Sequence, residues 1–100
     1  MLSAYPACFI KDKNGYAVIF PDLNELATCG DTLEEAFEMA VDCLAGYIYS
    51  SLQDHEDIPA PSSLQDININ RIIADLETTP SEAFIRIISV NVAEYAKTHF

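Results

Sequence analysis

One hundred residues of 11.1 kDa, half of them hydrophobic and 21% charged, hold enough apolar material for one folded core, so residues 1–100 read as a single domain. Lys plus Arg number 5 against 16 Asp plus Glu, and a net charge of -11 argues against direct nucleic-acid binding, which needs a basic footprint for phosphates. No apolar run reaches the roughly 18 residues of a membrane span and no signal peptide opens the chain, so a cytoplasmic protein without membrane contact is expected.

Ser3–Ile10 and Tyr16–Phe20 are apolar, β-prone runs that predict a hairpin, with Asn14-Gly15 supplying the positive φ of its turn. Pro6 lacks an N–H and is predicted at the sheet edge or near the strand start. Pro21-Asp22 ends the second strand, and a short third strand is expected at Ala27–Cys29. Asp31-Thr32-Leu33-Glu34 predicts a helix start in which Asp31 caps and Glu34 reaches back. Leu33, Phe37, Ala40, Val41, Leu44, Ile48 and Leu52 then draw one apolar stripe down a helix of about twenty residues, to be packed on the sheet.

Ala45 to Tyr49 carry no charge on any face, so this half of the helix is expected to be covered on a second side. Cys43, Gly46 and Tyr47 are read as a contact with another subunit, or as ground covered by the following loop. Ile58-Pro59-Ala60-Pro61-Ser62-Ser63 is an extended connector. Ile69, Ile72, Ile73 and Leu76 fit a short amphipathic helix. Ala83–Val92 is apolar on both faces and predicts a central strand, and Val92–His99 begins another helix. The fold class is α+β: an antiparallel three-stranded sheet plus a further strand, packed on one long helix.

Catalytic chemistry finds little support. Cys8, Cys29 and Cys43 are an odd number without ligand spacing, so they read as small buried hydrophobes, and no metal or other cofactor is implied. His55 lies among Asp54, Glu56 and Asp57, and His99 is one residue from the end, so neither stands as a general base. Gly15, Gly30 and Gly46 are too scattered for a phosphate loop. Asp12, Asp22 and Asp31 meeting at one end of the sheet would make a metal-dependent nuclease, although each is also what a turn or cap requires. Self-association through the uncharged half of the long helix is a further reading. The stronger signal is that no Lys or Arg lies between Asn14 and Asn70, a span rich in Asp and Glu. Such a surface draws a basic partner, or serves only to keep the protein soluble.

Tyr5-Pro6-Ala7, Asn14-Gly15-Tyr16-Ala17-Val18, Phe20-Pro21-Asp22-Leu23, Gly30-Asp31-Thr32-Leu33-Glu34-Glu35-Ala36 and Ile58-Pro59-Ala60-Pro61-Ser62, in this order and spacing, resemble the N-terminal domain of HicB-type antitoxins. Phe84–Val92 followed by Glu94-Tyr95 looks like the end of the same domain, and Asn68–Ser81 is longer than usual. The resemblance implies a partial ribonuclease H-like fold that has lost its catalytic acids, since Ala7, Cys8, Phe9 and Ile10 fill the first strand and Asn91 is neutral. It also implies a HicA-type partner, a basic toxin that cleaves messenger RNA. The C-terminal DNA-binding domain that many members carry is absent from this reading, so no direct DNA binding is expected. Toxin contacts are placed at Tyr16, Asp22, Glu25 and Asp31, and a homo-oligomer contact at Cys43, Gly46 and Tyr47.

Overall fold

The computed structural model describes residues 2–100. Its elements are β1 (Leu2–Asp12), β2 (Gly15–Phe20), β3 (Leu26–Gly30), α1 (Leu33–Gln53), α2 (Ile69–Leu76), β4 (Glu82–Asn91) and α3 (Val92–His99). The strands form an antiparallel sheet in the order β3-β2-β1-β4. The α+β expectation holds.

Period-two alternation along the strands gives the sheet two apolar faces. On one face Phe9, Val18, Phe20 and Ile88 pack with Ala40, Leu44 and Ile48 of α1 and Val92 of α3. Phe9 is held between Phe37 and Phe84, with ring centroids at 4.6 and 5.2 Å. On the other face Cys8, Ile10 and Ile19 pack under Ile72 of α2. Burying a side chain such as Phe9 or Ile10 stabilises the fold by about 1.5–3 kcal/mol.

The sheet order differs from expectation at two strands. β1 is central, and its six consecutive buried residues, Tyr5–Ile10, occupy the middle of the fold. β4, predicted as the central strand, is an edge strand on which Arg86, Ile87 and Ser89 are exposed. An apolar run records hydrophobicity but not which strand has two neighbours, and here the longer-buried β1 takes that place. Pro6 is buried mid-strand rather than at a strand start. Pairing of β1 with β2 begins only at Cys8, so at Pro6 the strand has a neighbour on one side alone, the condition a residue without an N–H needs.

Local corrections have local causes. Asp12 pairs with Gly15, so Lys13 and Asn14 form the hairpin loop, and of these residues only Gly15 has positive φ, +123°. The α1 cap is Thr32, whose Oγ1 accepts from Glu35 N at 3.1 Å, while Glu35 Oε1 accepts from Asp31 N at 3.0 Å. The threonine-x-x-glutamate frame therefore wins over the aspartate frame one residue earlier. The buried stripe of α1 runs through Ala36, Ala40, Leu44, Ala45, Ile48 and Ser51, and the outlying Leu33 and Leu52 are exposed, Leu52 by 51%. Of the cysteines, Cys8 is buried, Cys43 half-buried and Cys29 exposed. Cys29 fails the expectation because it lies on the outermost strand β3.

Candidate functional site

The acidic residues singled out from the sequence fall into separate groups. Asp12 and Asp31 flank the start of β2, where they line a shallow depression of about 230 Å³ with Tyr16, Gly30 and Cys29. Asp22 and Glu25 lie beyond the other end of β2, on a cleft of about 220 Å³ shared with Ser62, Asp66 and Arg71. At about 3.3 Å per strand residue the two ends stand roughly 17–20 Å apart. Asp12, Asp22 and Asp31 therefore do not converge, and among the described residues no three of His, Cys, Asp and Glu are grouped to hold a metal ion. The four expected contact residues form two pairs, Tyr16 with Asp31 and Asp22 with Glu25.

Asp22 is engaged within its own chain. Its Oδ2 accepts the Ser62 N–H and its Oδ1 the Ser62 hydroxyl, both at 2.7 Å. Tyr5, deep in β1, donates its hydroxyl to the Pro59 carbonyl. These bonds fasten the proline-containing connector across the end of the sheet. Burial, then the charge of Asp22 and the nearby Tyr47, push the Tyr5 phenol above its ordinary value. Asp12 is also occupied, accepting from Asn14 N at 2.8 Å and, more weakly, from the Thr78 hydroxyl at 3.5 Å.

Glu25 is different. It is exposed, with Asn24 and Glu25 both in the left-handed region at φ 58° and 56°. The turn closes through Leu26 N to the Leu23 carbonyl at 3.1 Å, with Leu23 fully buried beneath it. Asp31 is likewise exposed and uses only its backbone N–H in the helix start. Tyr16 is half-buried, packed against the core, with Lys11 Nζ 5.6 Å from its ring centroid.

The helix α1 presents a row that was not singled out as a site. Glu34, Glu38 and Asp42 recur every four residues, all exposed. Asp42 accepts from the Tyr95 hydroxyl at 2.9 Å, and burial followed by this bond and charge raises the Tyr95 phenol. The ion pair among the described residues is the exposed Lys97–Glu94 contact at 3.6 Å, so no cation stands within ion-pair distance of the row on α1. The four-residue spacing was present in the sequence as the signal.

Cys43, Gly46 and Tyr47 have neighbours in their own chain. Tyr47 accepts from Asn24 Nδ2 at 3.4 Å, and a Cβ on Gly46 would stand 3.8 Å from the Phe100 ring. The Cys43 thiol faces the Ala27 carbonyl at 4.0 Å. The C-terminal residue and the β2–β3 connection thus approach this half of α1 from both flanks. His55 sits in the left-handed region just past α1, at φ 55°. His99 stacks on Tyr95 with centroids 3.8 Å apart.

The frame is an antiparallel sheet with α1 on one face and α2 on the other, carrying exposed carboxylates near both ends of β2 and along α1. The chain belongs to the HicB-like antitoxin family of bacterial toxin–antitoxin systems, whose model matches residues 4–76. It is 46% identical over 59 residues to antitoxin HicB 2 of Photorhabdus laumondii, a match covering 59% of this chain and 42% of that protein. The matched segment is thus less than half the length of that relative. Among solved structures, a chain of the toxin–antitoxin complex from Streptococcus pneumoniae superposes with a TM-score of 0.84 at 31% identity, covering 95% of this chain and 73% of that one. A chain of a HicA3 and HicB3 toxin–antitoxin complex shares the fold, with a TM-score of 0.65 at 16% identity over 85% of this chain and 94% of that one. Among the described residues no helix is long and apolar enough to cross a membrane.

Proposed function

We propose that the chain is an antitoxin that neutralises a basic, RNA-cleaving toxin of the HicA type by direct binding in the cytoplasm, with no catalytic activity and no DNA contact of its own. The observation that carries this reading is a surface in which acids far outnumber cations, 16 against 5 in the chain, on the fold of an antitoxin family. A protein of net charge -11 offers a basic nuclease the same sign of charge as its RNA, and so competes for the same surface. The toxin–antitoxin complex from Streptococcus pneumoniae supports a protein partner for this fold.

Glu25 and Asp31 are the carboxylates we assign to toxin contact, with Tyr16 beside Asp31 as an aromatic anchor and the Glu34–Glu38–Asp42 row extending the charged face. Asp22 contributes by holding the connector in place. The test is a titration of the purified chain into a HicA-type toxin, with RNA cleavage as the readout. Cleavage should stop near equimolar antitoxin, and unchanged cleavage at saturation would refute the reading.

A further inference from the structure

Two of the three glycines are required by the fold, and the third is not. Gly15 has φ +123°, and a Cβ on Gly30 would lie 2.5 Å from Ala36 N. Gly46 lies inside α1 without positive φ, and a Cβ there would meet the Phe100 ring at 3.8 Å, an ordinary van der Waals contact. Glycine in a helix interior weakens the helix relative to alanine, and among the described residues no contact asks for it here. The bare backbone at Gly46 is instead part of the wall of a cleft of about 520 Å³.

Two aromatic rings line the same cleft, and both are held in place. Tyr47 Oη accepts from Asn24 Nδ2 at 3.4 Å, and Phe100 packs on Tyr49 and Tyr95 with ring centroids at 5.2 and 5.7 Å. Cys43–Gln53 carries no charge, so the acids of the cleft come from either side of that stretch. Asp42 precedes it. Glu56 follows it, turned back by the left-handed His55 and by the bond from its N–H to the Ser51 carbonyl at 2.9 Å. The Tyr95 hydroxyl donates to Asp42 Oδ1 at 2.9 Å, which orients the carboxylate and leaves Oδ2 without a donor among the described residues. Among the described residues no Lys or Arg lines the cleft.

Aromatic faces beside carboxylates suit a flat cation. A guanidinium stacks on such rings and donates in a fork to the acids, whereas an ammonium uses the charge but not the planes. A second copy is a poor source of that group, because the chain holds 5 Lys plus Arg against 16 acids, while a basic protein carries cations in excess and is drawn to this surface. We propose that the cleft over Gly46 receives an arginine side chain of the basic toxin, with its guanidinium against Tyr47 and Phe100 and bonded to Asp42 and Glu56. This assignment rests on the toxin reading and adds to it a pocket whose selectivity comes from shape as well as charge.

Titration calorimetry of the chain with a HicA-type toxin, repeated over a salt series and paired with thermal melts, tests it. Gly46→Ala adds one methyl group to the cleft without changing charge. It should melt higher than the wild type yet bind the toxin about tenfold more weakly at low and high salt alike, and Gly46→Leu more weakly still. Asp42→Asn should also lose about tenfold, whereas Glu77→Gln, at an exposed acid outside the cleft, should lose at most about twofold. In the free chain, acetyl-arginine methylamide should shift the NMR amide signals of Gly46 and Tyr47, and acetyl-lysine methylamide should shift them less. A wild type that fails to bind the toxin defeats the toxin reading and this assignment with it. A wild type that binds while Gly46→Leu binds equally well, or a lysine probe that matches the arginine probe, overturns the cleft assignment alone. Sedimentation showing that the wild type self-associates and Gly46→Leu does not would give the cleft to a second copy, and overturns it too.

Discussion

Asp22 and Ser62 are 40 positions apart in the chain, and both oxygens of the carboxylate accept from the serine, one from its N–H and one from its hydroxyl, each at 2.7 Å. The bonds close a long loop that contains α1, and with the Tyr5–Pro59 bond they press the connector onto the sheet. Hydrogen bonds to a charged acceptor contribute about 1.5–3 kcal/mol each when water is partly excluded. Asp22→Ala is expected to cost about 2–3 kcal/mol in a urea titration and to open 58–63 to limited proteolysis, and Ser62→Ala, which keeps the backbone donor, about 1 kcal/mol. If both variants melt like the wild type, the connector is not held by this pair.

Thr32 and Asp31 separate stability from binding at the start of α1. Thr32 caps the helix through Glu35 N, so Thr32→Ala is expected to lose about 1 kcal/mol of stability. Asp31 offers its backbone N–H to Glu35 and leaves its carboxylate exposed. Asp31→Asn should therefore melt within about 0.5 kcal/mol of the wild type while weakening toxin affinity, most visibly at low salt. Calorimetric unfolding and binding titrations on the two variants should move in opposite patterns.

The features legible in the sequence are those written in local spacing. The hairpin from Ser3 to Phe20, α1, the isoleucine-bearing α2 and the motif order that resembles an antitoxin each depend on residues close together in the chain. Strand order does not: nothing within Ala83–Val92 reveals that Tyr5–Ile10 lies beside it with β2 on the far side. Likewise Asp22 looked like a surface acid because its partner is Ser62, and a bond across 40 positions leaves no local trace. The separation of Asp22 from Asp31 was in principle readable, since β2 runs between them, but only once the hairpin and β3 had been set in register.

Cys8 makes the fold sensitive to alkali. It is fully buried between β2 and β4, and burial pushes its thiol from 9.0 up to about 11. Above about pH 9 the unfolded chain releases this proton while the native chain keeps it, so stability falls as pH rises and levels off beyond about pH 11. The loss is at most about 2–3 kcal/mol, and Cys8→Ala should flatten denaturant titrations taken across that window. Thiol labelling of the native chain should reach the exposed Cys29 first, Cys43 more slowly, since burial and then Asp42 raise its thiol, and Cys8 only through unfolding. Equal labelling rates at all three would contradict the packing of β1.

Glu25 occupies a backbone conformation that glycine would hold more easily. Its φ of 56° follows the 58° of Asn24, and a non-glycine residue in the left-handed region costs roughly 1 kcal/mol. Asparagine tolerates this well at Asn24, and its side chain is further tied to Tyr47, but Glu25 has no such compensation among its hydrogen bonds. Glu25→Gly should accordingly raise stability slightly, by at most about 0.5 kcal/mol, since the extra freedom of the unfolded chain offsets much of the relieved strain. If the carboxylate is at this turn to meet a basic toxin, the same variant binds more weakly while melting higher. Glu25→Gln, which keeps the strain and removes the charge, should lose affinity without gaining stability. Full affinity in both variants would remove Glu25 from the contact surface.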